Sequence, residues 1–395
     1  MSNGKKTARV LFLFLFCSGV VFAQDQILQS YMQIFSRADL SAKTGVLRDA
    51  SADSNAHETI GGLYDFALRF ALYNSQILKD DPDMLKLINF AARGAGDSGY
   101  IESLNTLWNL FSGYQDSLTR AEILMAIGKL GKGNSIVIDN LNNYLKNQSA
   151  AYNFGIRIDY PVLSACIAAV AELGDSSSYP ALFSVIATDF PEVIILEALG
   201  AMDLIRGDYK QFLIDVIHKN PSEEKLAAFK AGMNSYSFGP AEQGQLAEVA
   251  LEQSLAFSSV EDNALLSALR YSAIAALTQL RWTRASALAI RHYYRVQTDF
   301  QQGLAGKRRF LEAIACLGAI GSSDAALALA LQLGLINART ERTGSYDEDI
   351  TFAVIQALGL IGDKSAFDYL LNISYLNYPD HIQAAAKEAL DRFRW

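Results

Sequence analysis

Apolar residues recur at three- and four-residue steps through most of this 395-residue chain, a period that is typical of amphipathic helices. In residues 350–361 this places Ile350, Val354, Ile355, Leu358 and Ile361 on one helix face. The chain contains only 7 prolines, and alanine and leucine dominate long stretches. Because proline breaks helices whereas alanine and leucine favour them, the pattern predicts an almost entirely helical protein.

A phrase close to "ALGLIGD" recurs along the chain at a spacing of roughly 30 to 45 residues, as in α-solenoids. In the last copy, Gly359 is expected to allow a close helix contact, and Gly362 to end the helix in a left-handed conformation. Asp363 is then expected to cap the next helix through its carboxylate. The position of Gly362 is taken in the other copies by Gly131, Gly174, Asp203, Arg281 and Gly321.

These phrases resemble the HEAT-repeat family in its short bacterial variety. The matching positions are Ala357, Leu358, Gly359, Ile361, Gly362, Asp363 and Ala366, then Pro379, Asp380, Ile382, Ala386, Ala389 and Leu390. The family's basic position holds Thr351 in one copy and Gln383 in the next. The resemblance is strongest over 308–395 and weakens towards the N-terminus. It implies an all-α fold, an α-solenoid of about eight stacked helix pairs over 60–395, ending in a capping helix.

The first residues are typical of a secretion signal. A basic start is followed by the apolar run 10–23, which is shorter than the ~20 residues that span a bilayer. We expect a signal peptide over 1–23, cleavage after Ala23, and no transmembrane segment afterwards. Cys17 follows Phe16 rather than a small residue, which favours a spectator cysteine over lipid attachment.

The residues after the signal differ from the repeats. Residues 24–37 are predicted to form one amphipathic helix, and the small, polar residues 41–59 to form a loop. Further long loops are expected at 147–161, 234–244 and 337–349. Tyrosines in the segments 152–160 and 374–381 are either contact residues for a partner or packing residues between repeats.

Composition and charge argue against several function classes. The net charge is −8, and it becomes more negative once the basic signal is removed, so nucleic acid is not an expected partner. Cys166 and Cys316 are expected to be buried, unpaired thiols. No two of the four histidines lie three or four residues apart, and phosphate-loop and nucleophile-elbow motifs are missing. We therefore expect no metal, no cofactor and no catalysis.

The most distinctive local feature is the segment 281–296. If it is one helix, Arg284, Arg291 and Arg295 fall within ~40° of one another, with His292 and Tyr294 on either side. These five residues are the predicted partner-binding site; the alternative is a solvated face whose arginines pair with neighbouring acids.

The function expected from these features is that of an exported, non-catalytic binding scaffold of the bacterial periplasm or cell envelope. A protein is the first expected partner, with an acidic peptide, a glycan or a lipid headgroup as further options. A self-assembling structural component of the envelope is the alternative. A HEAT-like enzyme is the less favoured one, since the single adjacent pair His57-Glu58 cannot supply a di-iron site.

Overall fold

The computed structural model describes residues 26–54, 56, 59–256 and 264–393. The expected signal segment, its cleavage site, Cys17 and the His57-Glu58 pair lie outside these residues. The described residues form helices joined by turns, without strands, and the chain divides into two compact units at Gly207. None of these helices is both long enough and apolar enough to cross a bilayer.

Unit 1 contains ten helices in its described residues. They are α1 (26–37), α2 (Leu40–Ala52), α3 (Ile60–Tyr73), α4 (Pro82–Ser98), α5 (Leu104–Gly113), α6 (Ser117–Leu130), α7 (Ser135–Asn153), α8 (Tyr160–Leu173), α9 (Tyr179–Ile186) and α10 (Glu192–Leu204).

Unit 2 contains a second set of ten in its described residues. They are α11 (Tyr209–Lys219), α12 (Ser222–Asn234), α13 (Pro240–Leu255), α14 (Ala264–Leu280), α15 (Ser286–Gln301), α16 (Lys307–Ile320), α17 (Ser323–Thr343), α18 (Glu348–Ile361), α19 (Phe367–Asn372) and α20 (Asp380–Asp391).

Each unit is a two-layer stack in which a helix packs against its neighbour in sequence and against the next helix but one. In unit 1 the even-numbered helices α2 to α10 form one layer and α3, α5, α7 and α9 form the other. In unit 2 the layers are α12 to α20, even-numbered, and α11 to α19, odd-numbered. The predicted all-α fold with an α-solenoid-like arrangement of paired helices is thus confirmed in each unit.

The recurring phrase forms the C-terminal end of the even-numbered helices. Gly174, Gly321 and Gly362 each end a helix with φ between 67° and 71°. Asp363 follows, and its Oδ1 accepts a hydrogen bond from the Ser365 amide at 2.9 Å. The expected left-handed glycine and aspartate cap are both present, because the αL region costs glycine no Cβ clash.

Glycines inside the phrase bring neighbouring even-numbered helices close together. A Cβ placed on Gly128 of α6 would lie 2.7 Å from the Cα of Ala169 on α8. Gly318 of α16 meets Ala357 of α18 in the same way, and Gly359 of α18 meets Ala389 of α20. The predicted close approach at Gly359 is therefore confirmed.

The predicted polar loop at 41–59 is wrong over most of its length, because α2 occupies Leu40–Ala52. Leu47 and Ala50 are fully buried, and the Lys43 amino group donates a hydrogen bond to the Phe35 carbonyl. Tertiary packing of two apolar residues outweighs a loop-like composition here. α7 and α17 also extend, to Asn153 and Thr343, into segments predicted as loops.

Candidate functional site

The predicted basic stripe does not lie on one helix. α15 begins only at Ser286, and Arg284 lies in a short 3-10 turn before it. Its Nε is 3.5 Å from a carboxylate oxygen of Glu248, and its guanidinium is 5.8 Å from the centre of the Trp282 ring. The Trp282 indole N–H also donates to Glu248, at 2.8 Å. Arg284 therefore belongs to a separate surface contact.

His292 was predicted to contact a partner, and this prediction is wrong because the side chain is fully buried. Its ring packs edge-on against Tyr271 at 5.6 Å, and neither ring nitrogen has a hydrogen-bond partner among the residues that the structure describes. Burial first, then the charges of Arg270, Arg295 and Arg309, lower its pKa from 6.5 to about 3. His292 is thus a neutral core residue at physiological pH.

The remaining residues of the stripe differ in exposure. Arg291 is exposed and Tyr294 is 44% exposed, so both can still meet a partner. Arg295 is half-buried with its Nε enclosed, and its charge acts on His292 instead. Of the five residues of the predicted site, Arg284, Arg291 and Tyr294 are therefore accessible at the surface. Their contact with a partner stays a prediction.

A second surface lies along one edge of unit 1, where turns lead from odd-numbered to even-numbered helices. We call this surface the turn edge; it comprises residues 74–81, 114–116, 154–159 and 187–191 with the flanking helix ends. Direct contacts join its turns. The Ser117 hydroxyl donates to the Asp159 carboxylate at 2.6 Å, and the rings of Tyr152 and Phe190 are 4.4 Å apart.

The turn edge exposes a row of large apolar side chains. Six of them are at least 58% exposed, and Tyr160 adds a partly exposed ring. On the opposite edge of unit 1 the comparable residues are Ile101, Ile136 and Leu204. Single exposed apolar residues are ordinary on folded proteins, whereas this edge carries a row of them. The six are Tyr73, Ile77, Leu118, Phe154, Ile156 and Val193.

The backbone of the α7–α8 turn holds two of these side chains in place. The amide of Ile156 donates to the Ala151 carbonyl at 3.0 Å, and Gly155 between them has φ 77°. Ile158 is buried and anchors the turn to the core. Phe154 and Ile156 therefore project from a hydrogen-bonded, anchored backbone.

An open cavity of about 910 Å³ lies beside this turn and is lined by Ser117, Tyr152, Arg157 and Asp159, among others. Among the described residues the Arg157 guanidinium has neither an ion pair nor a hydrogen bond. The sequence predicts segment 152–160 to be part of a long loop and singles out its tyrosines, but not Phe154 and Ile156. The available signal was the presence of three apolar residues in this segment, Phe154, Ile156 and Ile158, although their order does not show which of them are exposed.

The turn edge carries more negative than positive charge. Its four turns contain two basic residues, Lys79 and Arg157, against five acidic ones, Asp80, Asp81, Asp116, Asp159 and Asp189. Asp81, Asp116 and Asp159 also accept hydrogen bonds from amides that begin α4, α6 and α8. The surface is therefore apolar with carboxylates between the apolar side chains.

Histidine, cysteine, aspartate and glutamate side chains are the candidates for metal binding or nucleophilic attack in the described part of the chain. No set of three or more histidine, cysteine, aspartate or glutamate side chains is placed to hold a metal ion there. Cys166 and Cys316 are buried and unpaired. Burial raises the pKa of the Cys316 thiol to about 11 and raises that of Cys166 as well, so neither supplies a thiolate at neutral pH.

Comparison with known proteins assigns this chain to no family. No family model matches the chain, and no curated protein matches it either. Among solved structures, a crystal structure described as an engineered protein of the Northeast Structural Genomics Consortium is 16% identical, with a TM-score of 0.35. The match covers 92% of this chain and 98% of the other, but a TM-score this low supports no argument. The fold itself defines an all-α, helical repeat-like protein.

Proposed function

We propose that this protein is a non-catalytic binding scaffold that holds a protein partner on the turn edge of unit 1. The observation that carries the proposal is the row of exposed apolar side chains on ordered turns. Anchors of this kind dominate the binding energy of protein interfaces when they become buried. The HEAT-like phrases support the same function, because stacked helix pairs offer extended surfaces for contact.

The charge of the turn edge indicates what kind of partner it fits. Carboxylates outnumber basic groups in the four turns, so a partner with apolar anchors flanked by lysine or arginine is electrostatically complementary. An anionic membrane is disfavoured for the same reason, since the surface would repel lipid phosphates. The partner we propose is a protein segment that is both apolar and basic.

The proposed location is the bacterial periplasm or cell envelope, and it rests on the sequence of residues 1–23. Fusing these residues to a reporter that works only after export checks this part separately. An active reporter supports export. An inactive reporter contradicts the proposed location but has no bearing on the proposed binding surface.

Site-specific photo-crosslinking tests the binding surface. A photo-reactive phenylalanine analogue is placed at position 77 or 154 on the turn edge, or at position 136 on the opposite edge as a control. The control is matched because Ile136 lies on α7, is exposed, and is apolar. We expect one adduct of the same mass from positions 77 and 154 and none from 136. Equal labelling at all three positions contradicts the proposal, and an adduct of twice the chain mass supports self-assembly instead.

A further inference from the structure

A second cavity, in unit 2, has a different chemistry. It has a volume of about 430 Å³ and lies where α15 and α17 end and α16 and α18 begin. This volume is within the range of about 300–1,000 Å³ that is typical of small-molecule sites. Residues of the turn 344–347 close one side, and the C-terminal end of α15 closes another.

Aromatic rings line the cavity. The rings of Phe300 and Phe310 stack with centres 5.4 Å apart, and Phe310 is buried. Tyr346 lines the cavity from the turn and is held by an edge contact with Tyr378, at 4.8 Å between ring centres. Phe300 and Tyr346 are partly exposed and offer apolar ring faces, which their contacts with Phe310 and Tyr378 hold in place before a ligand arrives.

Three glutamine side chains supply hydrogen-bonding groups. Gln297 donates from Nε2 to Oε1 of Gln332 at 2.5 Å, which fixes both amides. This bond uses one donor of Gln297 and one acceptor site of Gln332, so each amide keeps both donor and acceptor capacity. Gln301 adds a third, exposed amide. Mixed donors and acceptors beside an aromatic surface match a ligand whose hydroxyl groups both donate and accept.

Two basic side chains lie at or near the cavity, and they differ in whether a carboxylate already pairs with them. Lys307 is close to carboxylate oxygens of Asp347 and Asp349, at 2.8 and 2.9 Å. Arg339 lines the cavity and is exposed, and within the described residues its guanidinium has no ion pair or hydrogen bond. A guanidinium with all five donors available is suited to a carboxylate, which it can bind through two parallel hydrogen bonds.

We propose that this cavity binds a carboxylated sugar, either free or as one residue of an acidic polysaccharide. The apolar face of the sugar ring lies against Phe300 or Tyr346, the amides of Gln297 and Gln332 bind its hydroxyl groups, and Arg339 binds its carboxylate. A compact ligand fits better than an extended peptide, because Ser345, Tyr346 and Asp347 of the turn bound the cavity on one side. The proposal does not depend on the turn edge of unit 1.

Titration of the full mature chain with glucuronic acid, followed by calorimetry, tests this site. We expect saturable binding in the millimolar range or tighter, and at least a tenfold loss on Arg339→Gln. Arg342→Gln is the matched control, because Arg342 is also exposed on the last turns of α17 but does not line the cavity. Binding to this variant should stay within twofold, and circular dichroism checks that both variants are folded.

Two further ligands test the role of the carboxylate and distinguish a free sugar from a polysaccharide. Glucose, which lacks the carboxylate, should bind more weakly than glucuronic acid and should not respond to Arg339→Gln. A polysaccharide of uronic acid units that binds more tightly than the monomer assigns the site to a polymer, and equal affinity per unit assigns it to the free sugar. Absence of saturable binding, an unchanged affinity in Arg339→Gln, or tighter binding of a carboxylate-bearing dipeptide would each overturn the proposal.

Discussion

Arg281 has φ 49°, the left-handed conformation that glycine takes at the ends of α8, α16 and α18. The amide of Trp282 donates to the Leu277 carbonyl at 3.1 Å, and the amide of Arg281 donates to Thr278. This is the same pair of bonds that Gly99 and Tyr100 make at the end of α4. The turn after α14 thus has the same geometry, although an arginine occupies the position that glycine takes elsewhere. Arg281 therefore adopts a left-handed conformation that is unfavourable for a residue with a Cβ.

Arg281→Gly should therefore raise the free energy of unfolding, by about 1 kcal/mol, because it removes an αL penalty from an exposed residue. Arg281→Ala keeps the Cβ and should change little. The reverse substitution, Gly321→Ala at φ 71°, should destabilise by a similar amount. Urea denaturation of the three variants measures these differences. A Gly variant less stable than the Ala variant would contradict the interpretation.

His292 gives the protein a pH dependence whose sign follows from its pKa. The group titrates near 6.5 in the unfolded chain and near 3 in the folded one, so the unfolded state binds more protons between these values. Its stabilising contribution is complete above pH 6.5 and is lost as the pH falls towards 3. Arg270, Arg295 and Arg309 contribute to the shift, but burial is its main cause.

His292→Phe keeps an aromatic ring and removes the titration. As the pH falls from 6.5 to 4, the unfolding free energy of the wild type should fall relative to this variant, with a slope that rises to about 1.4 kcal/mol per pH unit. Denaturant titrations at several pH values measure the difference. Parallel curves for the two proteins would show that His292 does not titrate differently on folding.

At the scale of the helix, the glycine of the recurring phrase is needed only where a neighbouring helix touches it. Gly128 of α6 is pressed against the backbone of Ala169. Gly200 of α10 occurs in a similar phrase, "ALG", but nothing lies within 4 Å of its Cβ position. The two glycines look alike in the sequence and differ only in what the fold places beside them.

This pair gives a matched test of helix packing. Gly128→Ala should destabilise unit 1 by about 1–3 kcal/mol, because α6 and α8 must move apart. Gly200→Ala should be neutral or stabilising by up to about 1 kcal/mol, since alanine favours a helix interior. Thermal denaturation compares them. Similar losses for both would show that intrinsic backbone preferences, rather than the α6–α8 contact, set the role of Gly128.

For the whole molecule, the spacing of hydrophobic residues was enough to predict the fold class. It was much less informative about which residues form an exposed candidate site. The period of three and four residues identified paired helices, since that spacing follows directly from helix geometry. It missed α2, whose composition is that of a loop but whose Leu47 and Ala50 are buried by other helices. Helix position alone also placed His292 on a surface, although the neighbouring helices bury it.

The turn edge was missed for a related reason. Phe154, Ile156 and Ile158 alternate in one short turn, and only the third is buried. Nothing in the order of these residues shows which one anchors the turn and which two are left exposed. That distinction requires the packing of α7 and α8 in three dimensions.

Partner binding through the exposed apolar residues of the turn edge can be measured as the affinity of the crosslinked partner, once purified, for three forms of the protein. These are the wild type, Phe154→Asp with Ile156→Asp, and Ile101→Asp with Ile136→Asp on the opposite edge. We expect about a 30-fold or greater loss for the turn-edge pair, as for interface anchors in general, and less than a twofold change for the control pair. Equal losses, or no loss from the turn-edge pair, would contradict the claim.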